Sequence, residues 1–494
     1  MENRSDNENA SDKVTWIQFL RQVNVSLTIW SYFFIVGLVT GAPTVIIPQL
    51  IKETNTTVVL EDKFYPWITS ISSYTSIPCN LILTLLSHFC GRKKTLLAIS
   101  ICTFSASVLL YYSRSPAHIF FSQMIYGVTG AGQMTVYGPI LAEYSSTKYR
   151  GIFLTLKSAT FFWGIWTANA IGIFTHYKFI GLLAVLCSSY CFSTGFFIPE
   201  SPYWLAFKGK YDQCAETHRL LKGEDEKAEK ELKDLINLQE ELHVHDVKFR
   251  PIKKCILHYV EIIQLPDVYK PILLCLLVFL VYHISGKLVC AVYALEIMKE
   301  ITDKESTAHI GVLVLDGFSV LGMYIGCGVS KVLKRRTILL VNSTIGTTFL
   351  FILSIYLCLV KLSVISQNSY IVITLLVVYS LAICCGPAIL STSIYGELLP
   401  VKARSFSIFC TSTLAMLYFA TIIRVSPMMF SVFDIFGTFL FFSLCSTICI
   451  ILTYKYLPET KDKTIYEIAA LFKKDQPQVR SEDDPKNVQT RNQR

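Results

Sequence analysis

Twelve stretches of this chain, each about twenty residues long, carry almost no charge, and the charged residues crowd into the gaps between them. A helix needs about twenty apolar residues to cross a hydrocarbon layer, and an ionised side chain at its centre costs roughly 2.5–3.5 kcal/mol. The pattern therefore predicts an all-α membrane protein. Spans are expected at 27–50, 66–89, 94–113, 117–142, 152–175 and 179–198, and again at 270–297, 308–330, 337–361, 369–396, 404–426 and 431–456. Charged residues make up only 16% of the chain, against about 25% in soluble proteins. The domains that follow are a tail (1–26), a six-helix bundle (27–198), a polar linker (199–269), a second six-helix bundle (270–456) and a second tail (457–494). The linker stretch Tyr211 to His243 reads as a surface helix, with a partial apolar stripe of Leu220, Leu221, Leu232, Leu235 and Ile236.

A net charge of +9 invites a nucleic-acid reading, but the basic residues lie in short gaps between apolar spans. Most fall in the tails, in the linker and in the gaps holding Arg92–Lys94, Lys148 with Arg150, Lys331–Arg336 and Lys402 with Arg404, all on one side of the layer. The positive-inside rule makes that side, and both termini, cytoplasmic. Asn55-Thr56-Thr57 is then a glycosylation acceptor in the first external loop. The sixteen cysteines sit mostly inside spans, as Cys187, Cys191, Cys384 and Cys385 do, and read as small apolar packing residues. No phosphate loop, metal-ligand cluster or nucleophile–base spacing occurs, so neither an enzyme nor a cofactor is expected. The expected partners are the lipid bilayer and a small-molecule solute, with no nucleic acid, and the chain is expected to act as a monomer.

Three signatures occur twice, in the same order in each half. Gly91-Arg92-Lys93-Lys94-Thr95 is echoed by Lys334-Arg335-Arg336-Thr337, the spacing Glu143 to Arg150 by Glu397 to Arg404, and Pro199-Glu200 by Pro458-Glu459. A two-fold repeat of six spans is the plan of a transporter whose halves rock about a central site. Arg92, Glu143, Arg150, Glu200, Arg335, Arg336, Glu397, Arg404 and Glu459 are expected to form a cytoplasmic gate of ion pairs that hold or release that face.

Gly41-Ala42-Pro43, Trp67-Ile68-Thr69-Ser70, Gly91-Arg92-Lys93, Arg150-Gly151, Ser285-Gly286 and Gly386-Pro387 add to these. So do Pro199-Glu200-Ser201-Pro202-Tyr203-Trp204-Leu205 and Pro458-Glu459-Thr460-Lys461. With them the chain resembles the sugar porters of the major facilitator superfamily, and among those the insect facilitated trehalose transporters. The resemblance implies twelve helices in two bundles around a central cavity, alternating access, and residence in the plasma membrane. The first span holds no acidic residue, whereas the proton symporters of that family carry one, so the resemblance implies facilitative uniport of a hexose or trehalose-class sugar.

Several family positions differ. The Asp-Arg before the basic cluster is replaced by His88 and Phe89, and in the second half by Lys331 and Val332; the fourth-span arginine falls on Gln123. The family's sugar-binding amides fall on Ser158, Tyr282, His283, Leu288 and Ala415, and its tenth-span tryptophan falls near Thr392. Three readings stay open: a sugar carrier, a carrier of an organic anion or other non-sugar, and a non-transporting sensor. Four charges lie in or near spans: Lys157, Lys287, Asp316 and Arg424. Such residues usually face a cavity or one another. The expected cavity set is therefore Ser158, Tyr282, His283, Ser285, Gly286, Lys287 and Thr392, with Lys157 and with Asp316 as counter-ion to Lys287. Lys287 is the first candidate for solute contact, and Arg424 is expected to reach an interface.

Overall fold

The computed structural model describes residues 2–53, 65–245, 264, 266–302, 304–398 and 404–461, without some of their side chains. Asn55 lies outside the described residues. Helices run through the described chain with no strand among them. Seven are long and apolar enough to cross a membrane by themselves, and the last of these, Phe406–Tyr456, is two spans joined at Asp434. Those seven supply the first, third, sixth, eighth, ninth, tenth, eleventh and twelfth spans. The other four are the second (Tyr65–Cys90), the fourth (Pro116–Gly132 continuing to Tyr144), the fifth (Thr147–Phe174) and the seventh (Pro266–Ile284 with Lys287–Val292). The fourth and seventh are apolar but interrupted, by the turn at Gln133–Tyr137 and by the break at Gly286.

The bundles are held by close backbone approach, the usual route to helix association where lipid tails give no hydrophobic drive. In the first half the first and fifth spans cross at Gly37 and Gly164; a Cβ on Gly37 would lie 2.0 Å from the Phe161 carbonyl oxygen. In the second half the eighth and tenth spans meet at Gly326, where a Cβ would lie 2.2 Å from the Cys385 carbonyl oxygen.

Two parts of the polar sequence are more ordered than expected. The first helix extends back to Glu2. Gln22, only 4% exposed, donates to the Leu221 carbonyl at 2.9 Å and accepts from the Ser146 amide at 2.9 Å. The surface helix expected over 211–243 is two helices, Tyr211–Lys222 and Glu226–His245, broken where Gly223 takes φ +91°. Leu232 and Leu235 of the expected stripe close over Leu205, Ala206 and Cys214, whereas Leu220 stays exposed.

Replacing Gly37 by leucine forces the first and fifth spans apart, so the purified variant should lose its monodisperse peak or melt well below the parent; overpacking typically costs about 1–3 kcal/mol. In the linker helices, His218 is buried and neither ring nitrogen meets a protein partner. Burial, then the nearby Lys222 ammonium, pushes its pKa down to about 4. A lowered histidine pKa adds stability above the unfolded value of about 6.5, and that stability is lost as pH falls toward 4. Hydrogen-exchange protection factors across 203–236, which remove the intrinsic pH dependence of exchange, should therefore be lower at about pH 5 than at about pH 7.5, and His218→Leu should shrink the difference.

Candidate functional site

A cavity sits where the two bundles face each other. Its wall takes residues from the first, second, fourth, fifth, seventh, eighth, tenth and eleventh spans and none from the third, sixth, ninth or twelfth. The volume open to centres of water-sized molecules is about 120 Å³, where one buried water needs about 10–15 Å³.

Three irregularities shape this wall. The fourth span opens into a π turn at Gln133–Tyr137, which sets Gln133 in the wall; such turns recur at functional positions. The seventh span breaks at Gly286 (φ +80°), where a side chain would also strike the Phe442 ring. The Tyr379 hydroxyl donates to the freed Ser285 carbonyl at 2.6 Å. The tenth span breaks at Gly386-Pro387 beside Ala388 and Ser391 of the wall.

The polar wall groups divide by what they still offer. The Thr40 hydroxyl donates to the Val36 carbonyl, Ser76 to Ser73, Ser391 to Ala388, and Tyr126 to Ser107. These protons are committed, so the groups present only lone pairs to the cavity. Gln133, Ser158, Tyr282 and His283 also line the wall, and among the described residues their side chains make no hydrogen bond to protein. Phe33, Phe161, Phe162, Phe279 and Phe419 supply aromatic faces. Among the described residues, no Asp, Glu, Lys or Arg lines the cavity.

Of the expected set, Ser158, Tyr282 and His283 stand in the wall, as do Leu288 and Ala415; Ser285, Gly286, Lys157, Lys287 and Asp316 do not. The Thr392 side chain falls outside the described part. Lys287 was expected to face the cavity, but it is not among the residues of the wall. It is fully buried, its Nζ donates to Ser319 Oγ at 2.8 Å, and it lies 5.8 Å from the Phe162 ring centre. Lys157 Nζ similarly lies 5.3 Å from the Phe33 ring centre. Asp316 accepts from Asn169 Nδ2 at 2.6 Å and makes no ion pair within 4.0 Å of Lys287. Gln133 and Asn169 were missed; the π turn that displays Gln133 leaves no mark in residue spacing.

At the face carrying the first and linker helices, here the basic face, the repeated charges do something more local than expected. Glu200 Oε1 accepts the backbone N–H groups of Arg92 at 2.7 Å and Lys93 at 3.2 Å, capping the third span. Glu459 does the same for Arg335 at 3.2 Å and Arg336 at 3.3 Å, capping the ninth. A carboxylate at a helix N-terminus meets both unpaired N–H groups and the positive end of the dipole. Arg92 pairs with Glu143 at 3.2 Å. Arg150 pairs not with Glu143 but with Glu231 of the linker, at 3.7 Å, which also accepts from Lys222 at 2.7 Å. The Glu397 and Arg404 side chains fall outside the described part.

The opposite face is closed between bundles. Thr44 donates to the Ala291 and Val292 carbonyls at 3.0 and 2.8 Å, Tyr293 bridges Thr69 and the Ile423 carbonyl, and the Arg424 guanidinium lies 4.4 Å from the Trp67 ring centre.

Two six-helix bundles about a central cavity make up the major facilitator fold. A family model described as "Sugar (and other) transporter" matches residues 19–472, and the chain belongs to that family. It is 22% identical to Facilitated trehalose transporter Tret1-1 of Drosophila sechellia, over 92% of this chain and 51% of that protein; it thus spans about half the length of that relative. It is 23% identical to Major myo-inositol transporter IolT of Bacillus subtilis, over 78% of this chain and 81% of that one. The fold is similar to that of the proton:xylose symporter XylE bound to 6-bromo-6-deoxy-D-glucose, with a TM-score of 0.71 at 14% identity, covering 91% and 100% of the two chains. The inward-open XylE of E. coli gives 0.68 at 13% identity, covering 92% and 99%.

Glu200→Ala strips the cap from the third span. Such losses typically cost about 1 kcal/mol, so the purified variant should melt a few degrees lower, and Glu459→Ala should do the same through the ninth span.

Proposed function

We propose that this protein carries a small neutral polyhydroxylated solute, of the sugar or cyclitol class, across a membrane by alternating access and without a coupling ion. The observation that carries this reading is the make-up of the wall. Committed hydroxyls accept, while Gln133, Tyr282, His283 and Ser158 are free to donate, and a polyol needs both. Five phenylalanines offer flat faces to the C–H sides of a sugar ring. A described wall without a charged residue suits a neutral solute better than an anion, with Lys157 and Lys287 set beside the Phe33 and Phe162 rings and outside the wall. The related proteins named for trehalose and myo-inositol support the same class.

The basic face is the cytoplasmic one in this reading, with the plasma membrane as its site. The wall groups bind the solute, and closure at the opposite face, through Thr44, Tyr293 and Arg424, alternates with closure at the basic face. A substrate of this kind needs no chemistry from the protein, which is read as a carrier rather than an enzyme.

Purified protein in liposomes should take up labelled glucose, trehalose or myo-inositol, and Ala388→Trp, which fills the cavity, should abolish uptake. His283→Ala and Gln133→Ala should each raise the half-saturating concentration about tenfold, since an unpaired buried partner costs about 1–3 kcal/mol. Uptake of none of the three solutes, with robust uptake of an organic anion, would reverse the assignment.

A further inference from the structure

Asn169 and Asp316 are 147 positions apart and belong to different bundles, on the fifth and eighth spans. Each is 1% exposed. Asn169 Nδ2 donates to Asp316 Oδ2 at 2.6 Å, yet Asp316 Oδ1 and Asn169 Oδ1 are both buried with no protein partner. Two acceptors left over from one carboxyl–amide pair lack the same thing, a single proton. Lys287, the nearest cation, is engaged by Ser319 Oγ at 2.8 Å, and Ser319 in turn contacts Ser380 Oγ at 2.7 Å. Lys287 from the seventh span and Cys384 from the tenth lie within electrostatic reach of Asp316, and Asn169 is the polar group facing it from the fifth.

We propose that Asn169 and Asp316 form a proton-operated latch between the bundles. With the opposite face closed, Asp316 holds a proton on Oδ1, and that O–H supplies the donor the two orphan oxygens lack. As the bundles part there, water reaches the pair, the carboxyl gives its proton to water, and the carboxylate left behind is balanced by Lys287 in its own bundle. Re-protonation from water accompanies closure. Acid at the opposite face therefore holds that face shut, and alkali frees it. The proton enters and leaves on one side, so the latch sets the carrier's poise without requiring net proton transport. The proposal rests on the rocking of two bundles put forward above and is independent of the solute.

The test is reaction of Ser73→Cys, a cavity position, with a membrane-impermeant thiol reagent applied to the opposite face. Its rate is divided by that of Phe174→Cys, exposed at the same face, to cancel the reagent's own pH dependence. The parent ratio should rise about tenfold between about pH 5.5 and pH 8.5, the response of one titrating group. Asp316→Asn pairs with Asn169 as the protonated acid does, so its ratio should stay low at every pH; Asn169→Leu should give a high, pH-independent ratio. If the lone Lys287 ammonium unfolds Asp316→Asn, the double variant Asp316→Asn, Lys287→Gln should show the same flat, low profile. A parental pH slope retained in either Asp316 variant would overturn the latch, whereas failure of sugar uptake with the slope intact would count only against the solute assignment.

Discussion

A backbone amide or carbonyl in hydrocarbon has no water to turn to, so every departure from regular helix inside the layer must be covered by protein or face a cavity. Three departures among the described residues follow that rule: the π turn at Gln133–Tyr137, the break at Gly286 and the break at Gly386 all border the central cavity. The Tyr379 hydroxyl meeting the Ser285 carbonyl shows how a freed group is recovered. The wall's hydroxyls follow the same logic. Thr40, Ser76 and Ser391 give their protons to the preceding turn of their own helix, while Ser158 and Tyr282 keep donors for a guest. The requirement that makes a bilayer protein helical thus also fixes where a solute can be recognised.

The two halves repeat one solution at the basic face. Glu200 and Glu459 each cap the third helix of their own bundle, joining its last span to its third. Those caps tie each bundle within itself, while bonds between bundles lie on both sides of the cavity: Asn80 to Ser412 and Thr413 and Thr155 to Cys327 toward the basic face, Thr44 to Ala291 and Val292 and Thr69 to Tyr293 at the opposite face. Strong bonds inside each half and a small set between halves are what rigid-body rocking requires.

Much of this was legible in the sequence because hydropathy reports the layer directly. The spans, the two-fold repeat and the family follow from residues that physics places at helix ends. Ser158, Tyr282 and His283 were reached through the family resemblance, whose sugar-binding amides fall on them. The direction of Lys287 was not legible, because the break marks where a helix restarts but not the angle at which it does. The partner of Arg150 was hidden for a related reason: Glu231 lies on a helix created by the Gly223 turn. The bond from Asn169 to Asp316 joins residues that no local pattern connects. The polar first residues looked like a free tail, yet Gln22 docks between the Leu221 carbonyl and the Ser146 amide.

Electron–electron distance measurements between spin labels on the fifth and eighth spans test the central claim most directly. One pair would sit at Phe174 and Ile310 near the opposite face, the other at Gly151 and Val332 near the basic face, all exposed positions. Alternating access predicts two populations for each pair, with solute shifting them in opposite senses, so that one end narrows as the other widens. A single distance at each end, unchanged by any solute that the protein carries, or both ends widening together, would contradict it.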